Sequence, residues 1–201
     1  MPNPTKLSGP SNRFISRDQK KKKDNPLDFY ETPAVAVEEL LKREKFDGSI
    51  WEPCAGKGAI AKVLKAHGYR VYTSDIQLYE GFDLHFTSDF LSPEERNVCS
   101  NIVTNPPFNR AEECVRQALK KAKKKVAMLL RIQFLEGQAR YQMFVEDGLA
   151  PTRIWIFSKR ISCDKEGTSM YCYAWFVWDI PQYDEDWSDG FPPTTIGWIL
   201  H

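Results

Sequence analysis

The sequence predicts an α/β fold, with a mostly parallel central sheet, helices on both faces and a C-terminal antiparallel hairpin. From residue 28 onward, apolar runs of strand length alternate with segments of helical periodicity, without internal repeats or a low-complexity linker. Alternating elements of these lengths are typical of a parallel sheet covered on both faces. The chain of 201 residues suits a single domain with flexible ends.

The first half of the domain is predicted to contain two helices and three strands. A helix begins at Thr32-Pro33, where a hydroxyl N-cap precedes proline at the first helical position. A second helix places its apolar residues on one stripe and ends at Gly68, a C-cap signal. The strands are Ser49 to Pro53, Arg70 to Ser74 and a short one near Leu84 to Phe86.

The second half continues the same alternation. A helix over Asn109 to Lys125 is predicted from the capping residue Asn109, Glu112 three positions later and a buried stripe that includes Cys114. The other predicted elements are a strand within Asn97 to Thr104, the strand VAMLLRI from Val126, a helix near Gln138 to Val145, the strand RIWIF and the apolar run YCYAWFVW.

Composition excludes several classes of protein. The chain is 42% hydrophobic and 27% charged, which is typical of globular domains. Mean hydropathy is −0.50, no apolar run approaches the ~20 residues of a membrane span, and the start lacks a secretory signal. The five cysteines are scattered without a CxxC pair, which predicts reduced thiols in the cytoplasm and disfavours a zinc site.

The net charge of +1 conceals a gradient that divides the chain into three parts. Residues 1–27 hold seven Lys/Arg and two Asp, a net charge of +5, and are predicted to be a basic arm without a core. Its run Lys20–Lys23 is either a solvated tail or a loose contact with nucleic-acid phosphates. Residues 28–180 form the main domain. Residues 181–201 form an acidic, aromatic extension that we expect to dock onto it.

Unusual residues follow three of the predicted strands, where ligands bind in such sheets. They are the run Glu52 to Gly58 (EPCAGKG), then Ser74-Asp75-Ile76, then Asn105 to Phe108 (NPPF). The glycines let a ligand approach the backbone, but the loop has neither P-loop spacing nor GxGxxG, which disfavours nucleoside triphosphates and NAD. Asp75 is placed to accept hydrogen bonds from ribose hydroxyls, or else to cap a helix.

The tetrapeptide NPPF is the sharpest signal in the chain. Its two prolines fix an extended turn, Asn105 adds a side-chain acceptor, and Phe108 adds a flat apolar face. Acceptors beside an aromatic plane suit a planar, amine-bearing base. The alternative is a rigid turn with a core phenylalanine.

Together these motifs resemble the S-adenosylmethionine-dependent amino-methyltransferases, and more closely the small phage or prophage DNA adenine-N6 methyltransferases. The matching runs are FYETP from Phe29, EPCAGKG, SDI, Ser88-Asp89-Phe90-Leu91 and NPPF, and the later strands extend the resemblance over most of residues 28–180. Similar tetrapeptides occur in RNA adenine and protein glutamine methyltransferases, so these substrates stay as alternatives. A non-catalytic nucleic-acid-binding protein with this fold is a third.

The resemblance implies a Rossmann-like methyltransferase fold, S-adenosylmethionine as cofactor and a role for each motif. The carboxylate of the cofactor would meet Tyr30 and Thr32, its adenine would meet Asp89 and the backbone of Phe90, and its ribose would meet Asp75 beside Ile76. The methionine part would lie along Glu52, Pro53, Cys54, Ala55, Gly56 and Gly58. The target amine would be held by Asn105 and Pro106, followed by Pro107, while Phe108 stacks on the flipped base.

The implied partner is adenine-containing DNA, bound by a monomer or dimer away from any membrane, with host cytoplasm as the location if a phage encodes the chain. Lys120–Lys125 either contacts phosphates or is a solvated helix end whose cations complement the helix dipole. No metal is required. Phe157 is the one candidate for a second base-stacking aromatic, and little of the chain remains for a separate recognition domain.

Overall fold

The computed structural model describes residues 31–93, 99–161, 171–180 and 193–200. The helices are α1 (Ala34–Arg43), α2 (Ala59–Ala66), α3 (Ala111–Lys121) and α4 (Gln138–Tyr141), with short 3-10 turns at Phe108–Arg110 and Ile132–Leu135 and a π-helical turn at Gln142–Glu146. The strands are β1 (Ile50–Glu52), β2 (Val71–Asp75), β3 (Phe86–Thr87), β4 (Asn101–Thr104), β5 (Lys125–Arg131), β6 (Arg153–Phe157), β7 (Tyr173–Asp179) and β8 (Thr195–Ile199).

These strands form one sheet in the order β3-β2-β1-β4-β5-β7-β6-β8. Strand β7 runs antiparallel to both of its neighbours, β5 and β6, while the other pairs are parallel. The predicted α/β fold, with a mostly parallel sheet and an antiparallel C-terminal hairpin, is therefore confirmed. The carboxyl ends of β1, β2, β4, β5 and β6 meet at one edge of the sheet, together with the start of β7.

Helices cover both faces of the sheet because neighbouring strand residues point to opposite sides. One face packs α1 and α2 against inward residues such as Val103, Leu129 and Trp175. The other packs α3 and the π-helical turn against residues such as Ile102 and Phe176. Both sides of the central strands are thus buried, which explains why their sequences are almost continuously apolar.

Two predicted helix caps are wrong. The N-cap position of α1 is Pro33, which has no side-chain acceptor, and the hydroxyl of Thr32 accepts a hydrogen bond from Asn105. Asn109 lies inside the 3-10 turn, and Arg110 is the N-cap residue of α3. The same helix ends at Lys121 rather than Lys125, because Lys125 begins β5 and pairs with Asn101 of β4.

The C-terminal region contributes a strand to the sheet. β8 pairs in parallel with β6, and it exposes Ile196 and Trp198 at the sheet edge. The predicted boundaries of the three parts of the chain stay a prediction, and the basic arm lies outside the described residues. Within the described ranges, no helix is long and apolar enough to span a bilayer.

Candidate active site

The carboxyl ends of β1, β2 and β4 enclose a cavity of about 250 Å³. Its walls come from all three of the strand ends that the sequence singled out, because parallel strands place their carboxyl ends side by side. Of the residues predicted to form the site, the cavity is lined by Thr32, Glu52, Pro53, Cys54, Ala55, Asp75, Ile76, Asp89, Phe90, Asn105, Pro106 and Pro107. Tyr30 lies outside the described residues.

Gly56 and Gly58 shape the loop after β1, although neither lines the cavity. Both have positive φ angles, 52° and 74°, which L-residues with a side chain rarely adopt. The amide of Gly56 donates a 2.8 Å hydrogen bond to Oδ2 of Asp75. A Cβ atom on Gly58 would lie 2.1 Å from the ring of Phe82. Glycine at position 58 therefore satisfies both the backbone conformation and the close approach of an aromatic ring.

Glu52 ends β1 as a buried carboxyl group beside the cavity. Only 1% of the residue is exposed, and Oε2 accepts a 2.8 Å hydrogen bond from the amide of Ala61 in the first turn of α2. Burial raises the pKa of Glu52 well above its usual range, and the nearby charge of Asp75 adds to the rise, while the hydrogen bond from Ala61 opposes it. An arriving cation would favour the ionised form, so the position suits a positively charged ligand group.

Asp75 ends β2 and is shared between the loop and the cavity. Besides the hydrogen bond from Gly56, its Oδ1 accepts a longer 3.4 Å one from the amide of Gln77. Burial raises the pKa of Asp75, and backbone hydrogen bonds from Gly56, Gln77 and Ile76 offset part of that rise. The carboxylate therefore holds the glycine loop in place while also lining the cavity.

Asp89 and Phe90, on the segment after β3, line the part of the cavity wall that this segment contributes. Oδ1 of Asp89 accepts a 2.9 Å hydrogen bond from the amide of Leu91, so the side chain caps its own turn at an exposed position. Phe90 is 4% exposed and packs edge-on against Trp51, with ring centroids 5.4 Å apart. The packing of Phe90 fixes the backbone of this wall.

Asn105 follows directly after β4 and is held by a residue from the other end of the domain. Its Nδ2 donates a 3.1 Å hydrogen bond to Oγ1 of Thr32, which is 5% exposed. Pro106 and Pro107 continue the wall of the cavity. Because the amide nitrogen points to Thr32, the side-chain carbonyl Oδ1 occupies the opposite end of the amide.

Phe108, in contrast, does not line the cavity. Its ring packs against Tyr173 with centroids 5.6 Å apart, and the guanidinium carbon of Arg131 lies 4.5 Å from its centroid. The same carbon lies 3.7 Å from the ring of Tyr171. Base stacking by Phe108 stays a prediction. Phe157, the candidate for a second stacking aromatic, is buried in the core at the end of β6.

The basic run Lys120–Lys125 lies at the end of the sheet opposite the cavity, because it leads into the amino end of β5. Within it, Lys124 pairs with Asp47, and Lys125 donates a 2.6 Å hydrogen bond to Glu44. Phosphate contact by this run stays a prediction, as does that by Lys20–Lys23, which lie outside the described residues.

Among the residues that the structure describes, nine more line the cavity although the sequence did not predict them there. They are Glu31, Lys57, Ala59, Ile60, Tyr79, Leu91, Asn109, Arg110 and Cys114. Cys114 hydrogen bonds to Cys54, and this contact, together with burial, raises the pKa of the Cys54 thiol well above its usual range. The buried stripe of α3 places Cys114 on the inner face of the helix, but nothing in the sequence indicates that it reaches the cavity.

No protein-family model and no curated protein matches the sequence significantly. Solved structures do match. A provisionally assigned RNA methyltransferase from Pyrococcus horikoshii aligns with a TM-score of 0.56 and 13% identity, over 76% of this chain and 87% of its own. A provisionally assigned class I S-adenosylmethionine-dependent methyltransferase from Listeria monocytogenes aligns with a TM-score of 0.54 and 12% identity, over 82% and 63%.

A third match is the methyltransferase subunit of a type I restriction-modification system from Streptococcus thermophilus. It aligns with a TM-score of 0.54 and 12% identity, over 77% of this chain and 45% of that subunit. The chain has the fold of class I methyltransferases. The Rossmann-like fold that the motifs implied is therefore confirmed, and the cavity lies at the carboxyl edge where ligands bind in such sheets.

Proposed function

We propose that this chain transfers a methyl group from S-adenosylmethionine to the N6 amino group of adenine in DNA. One observation carries the proposal. The amide of Asn105, oriented by Thr32, lines the same cavity as the buried carboxyl groups of Glu52 and Asp75. Acceptors for an amine and acidic groups for a cationic, hydroxyl-bearing cofactor thus meet in one space.

The residues present fit S-adenosylmethionine, which when bound supplies a methyl group on a positively charged sulfur. Glu52 is a buried carboxyl group suited to the ammonium of the cofactor, and Asp75 is suited to its ribose hydroxyls. Asp89 and Phe90 line the same cavity. The cavity volume of about 250 Å³ is close to the lower end of the roughly 300–1,000 Å³ that is typical of small-molecule sites.

The chemistry of an aromatic amine explains why Asn105 and Pro106 are needed. The lone pair of such an amine is delocalised into the ring, so the nitrogen is a poor nucleophile. Hydrogen bonds from the amine to Oδ1 of Asn105 and to the carbonyl of Pro106 favour a pyramidal nitrogen. They also stabilise the positive charge that develops on it. Holding the amine in line for transfer supplies much of the remaining rate enhancement.

A nucleic-acid substrate also agrees with the charges along the carboxyl edge. Acidic side chains line the part of the cavity beside β1 and β2. Lys159, which follows β6 on the same edge, is an exposed cation in reach of a polyanion. The target base must leave the duplex to enter the cavity, which costs a few kcal/mol and is offset by contacts within the site.

The amino group of RNA adenine and the amide NH₂ group of protein glutamine are donors that the same two acceptors could hold, so an assay has to decide the substrate class. Transfer of tritiated methyl groups should be compared for duplex DNA, single-stranded DNA, RNA and protein. We expect DNA to accept label on adenine N6. Label confined to RNA or to glutamine would contradict the DNA assignment while leaving the methyltransferase assignment in place.

The role of Asn105 has its own test. Asn105→Ala should abolish methyl transfer and leave cofactor affinity nearly unchanged, because the amide is assigned to the substrate amine. Calorimetric titration with S-adenosylhomocysteine measures the affinity separately from turnover. Retained turnover in the variant would show that Asn105 does not hold the amine.

We further propose that the recognition sequence is short or relaxed, because no segment that the structure describes within residues 28–180 forms a separate recognition domain beside the sheet and its helices. Sequencing a plasmid methylated by the protein measures this directly. A long and strict recognition site would refute the proposal.

A further inference from the structure

We propose that the guanidinium of Arg131 occupies the stacking site on Phe108 in the ligand-free protein and is displaced when a planar base enters. The inference rests on the proposed function and assigns Arg131 as the side chain that fills the substrate's stacking site until a base binds. Asn105, Pro106 and Pro107 line the cavity. Phe108, which is three residues after Asn105, does not line it.

The space next to Phe108 is filled by the side chain at the carboxyl end of β5. The guanidinium carbon of Arg131 lies 4.5 Å from the ring centroid of Phe108 and 3.7 Å from that of Tyr171. Guanidinium planes and nucleobases both stack on aromatic rings. A base held at Asn105 and stacked on Phe108 would therefore need the position that Arg131 now takes.

In its present position the guanidinium of Arg131 also leaves one hydrogen-bond donor unused. In the part of the chain that the structure describes, its Nε atom is buried and has no hydrogen-bond partner. A buried donor without a partner is costly, and this cost works against the favourable contact with the two rings. Displacement by a base would release the guanidinium to water or to a phosphate, where every donor finds an acceptor.

Arg131 lies at the correct place to respond to substrate but not to cofactor. It is the last residue of β5, and Tyr173 is its register partner on β7. Glu52 and Asp75 lie instead at the ends of β1 and β2, and Asp89 lies on the segment after β3. Entry of a base should therefore move Arg131, whereas binding of a cofactor analogue alone should leave it on Phe108.

Nuclear magnetic resonance of the full chain tests the displacement without measuring activity. The Nε–H signal of Arg131, identified by its loss in Arg131→Lys, should be shifted by the ring currents of Phe108 and Tyr171 in the free protein. With S-adenosylhomocysteine present, a short oligodeoxyadenylate should remove that shift, and an abasic oligonucleotide of the same length should not.

The two possible failures are distinguishable. If the oligodeoxyadenylate binds and the Arg131 signal keeps its ring-current shift, the displacement is overturned and the proposed function stands. If neither oligonucleotide binds and no nucleic acid accepts methyl groups, the proposed function fails, and the displacement fails with it.

Affinity gives a second readout that does not depend on the signal assignment. Arg131→Met removes the competing plane, so the ratio of the abasic Kd to the oligodeoxyadenylate Kd should rise about threefold or more. Loss of the Arg131 charge weakens phosphate attraction for both oligonucleotides alike, so this effect cancels in the ratio. Lys159→Met, a control that removes a charge on the same edge, should weaken both affinities and leave the ratio unchanged. An unchanged or lower ratio in folded Arg131→Met, with folding checked by thermal denaturation, would overturn the proposal.

Discussion

The side-chain amide of Asn105 is hydrogen bonded to the hydroxyl of Thr32, seventy-three positions earlier in the chain, at 3.1 Å. The bond joins Thr32, two positions before α1, to Asn105, the first residue after β4, and so links two motifs that are far apart in sequence. Helix α1 has no side-chain cap because its N-cap residue, Pro33, carries no side-chain acceptor.

Thr32→Val should slow methyl transfer and leave cofactor affinity nearly unchanged, because the amide of Asn105 loses its support while the shape of the side chain is kept. A neutral hydrogen bond contributes about 0.5–1.5 kcal/mol, so the single-turnover rate should fall roughly two- to tenfold. Thr32→Ser, which keeps the hydroxyl, is the matched control. A weaker cofactor affinity at an unchanged rate would instead assign Thr32 to the cofactor carboxylate.

Glu52→Gln should make the folded protein more stable and cofactor binding weaker. The pKa of Glu52 is raised by burial, so wild-type stability is full below the unfolded pKa of about 4.3 and decreases as pH rises towards the folded pKa. The stability advantage of the glutamine variant should therefore grow with pH over that interval. Thermal denaturation across pH measures it.

The control for Glu52 is Glu136→Gln, a substitution at an exposed glutamate that should change neither stability nor affinity. Equal cofactor affinity for Glu52→Gln and wild type would show that the carboxylate serves only the amide of Ala61 in α2.

Gly58→Ala should destabilise the protein more than Gly81→Ala. Both glycines have a left-handed φ, 74° and 80°, so each substitution costs about 1–2 kcal/mol of backbone strain. A Cβ at position 58 would also meet the ring of Phe82, whereas position 81 has open space around it. Overpacking adds roughly 1–3 kcal/mol at position 58. Chemical denaturation measures the difference, and equal losses would mean that Phe82 moves away freely.

Glu44→Gln should destabilise the fold without changing the cavity. Glu44 is 3% exposed, and its carboxylate accepts hydrogen bonds from Arg153 at 2.7 Å, Lys125 at 2.6 Å and Trp155 at 2.9 Å. Asp179 still pairs with Arg153 and Lys125 after the change, so the cost should be that of weakened charged hydrogen bonds, about 1.5–3 kcal/mol. Cofactor affinity should stay the same, because these partners lie at the amino end of β5 and along β6, away from the cavity.

The stability difference between wild type and Glu44→Gln should depend on pH. Burial works to raise the pKa of Glu44, but the hydrogen bonds from Arg153, Lys125 and Trp155 outweigh it and hold that pKa below its usual value. The stability from Glu44 is thus present above the unfolded pKa of about 4.3 and is lost as pH falls through the folded pKa. Urea denaturation should show the gap between wild type and variant narrowing in acid. Asp47→Asn, in an exposed pair with Lys124, should show no measurable change at any pH.

Local sequence patterns predicted the strands and helices, and the two helix caps that they predicted wrongly have a common cause. The strand RIWIF was predicted with the bounds that β6 has, and the buried stripe of α3 was predicted from its spacing. The capping roles of Thr32 and Asn109 were wrong, because each cap was inferred from neighbouring residues alone. Thr32 accepts a hydrogen bond from the distant amide of Asn105, and Asn109 is part of the 3-10 turn that follows the two prolines.

The alternation of strands and helices follows from local sequence patterns, and so does the edge of the sheet at which polar and glycine residues lie. Those features depend on side-chain spacing and backbone preference over a few residues. Only the tertiary structure decided that Thr32 orients Asn105, that Cys114 reaches the cavity, and that Arg131 rather than open space lies on Phe108. These contacts join residues on different elements, and they depend on the packing of the whole sheet rather than on any local pattern.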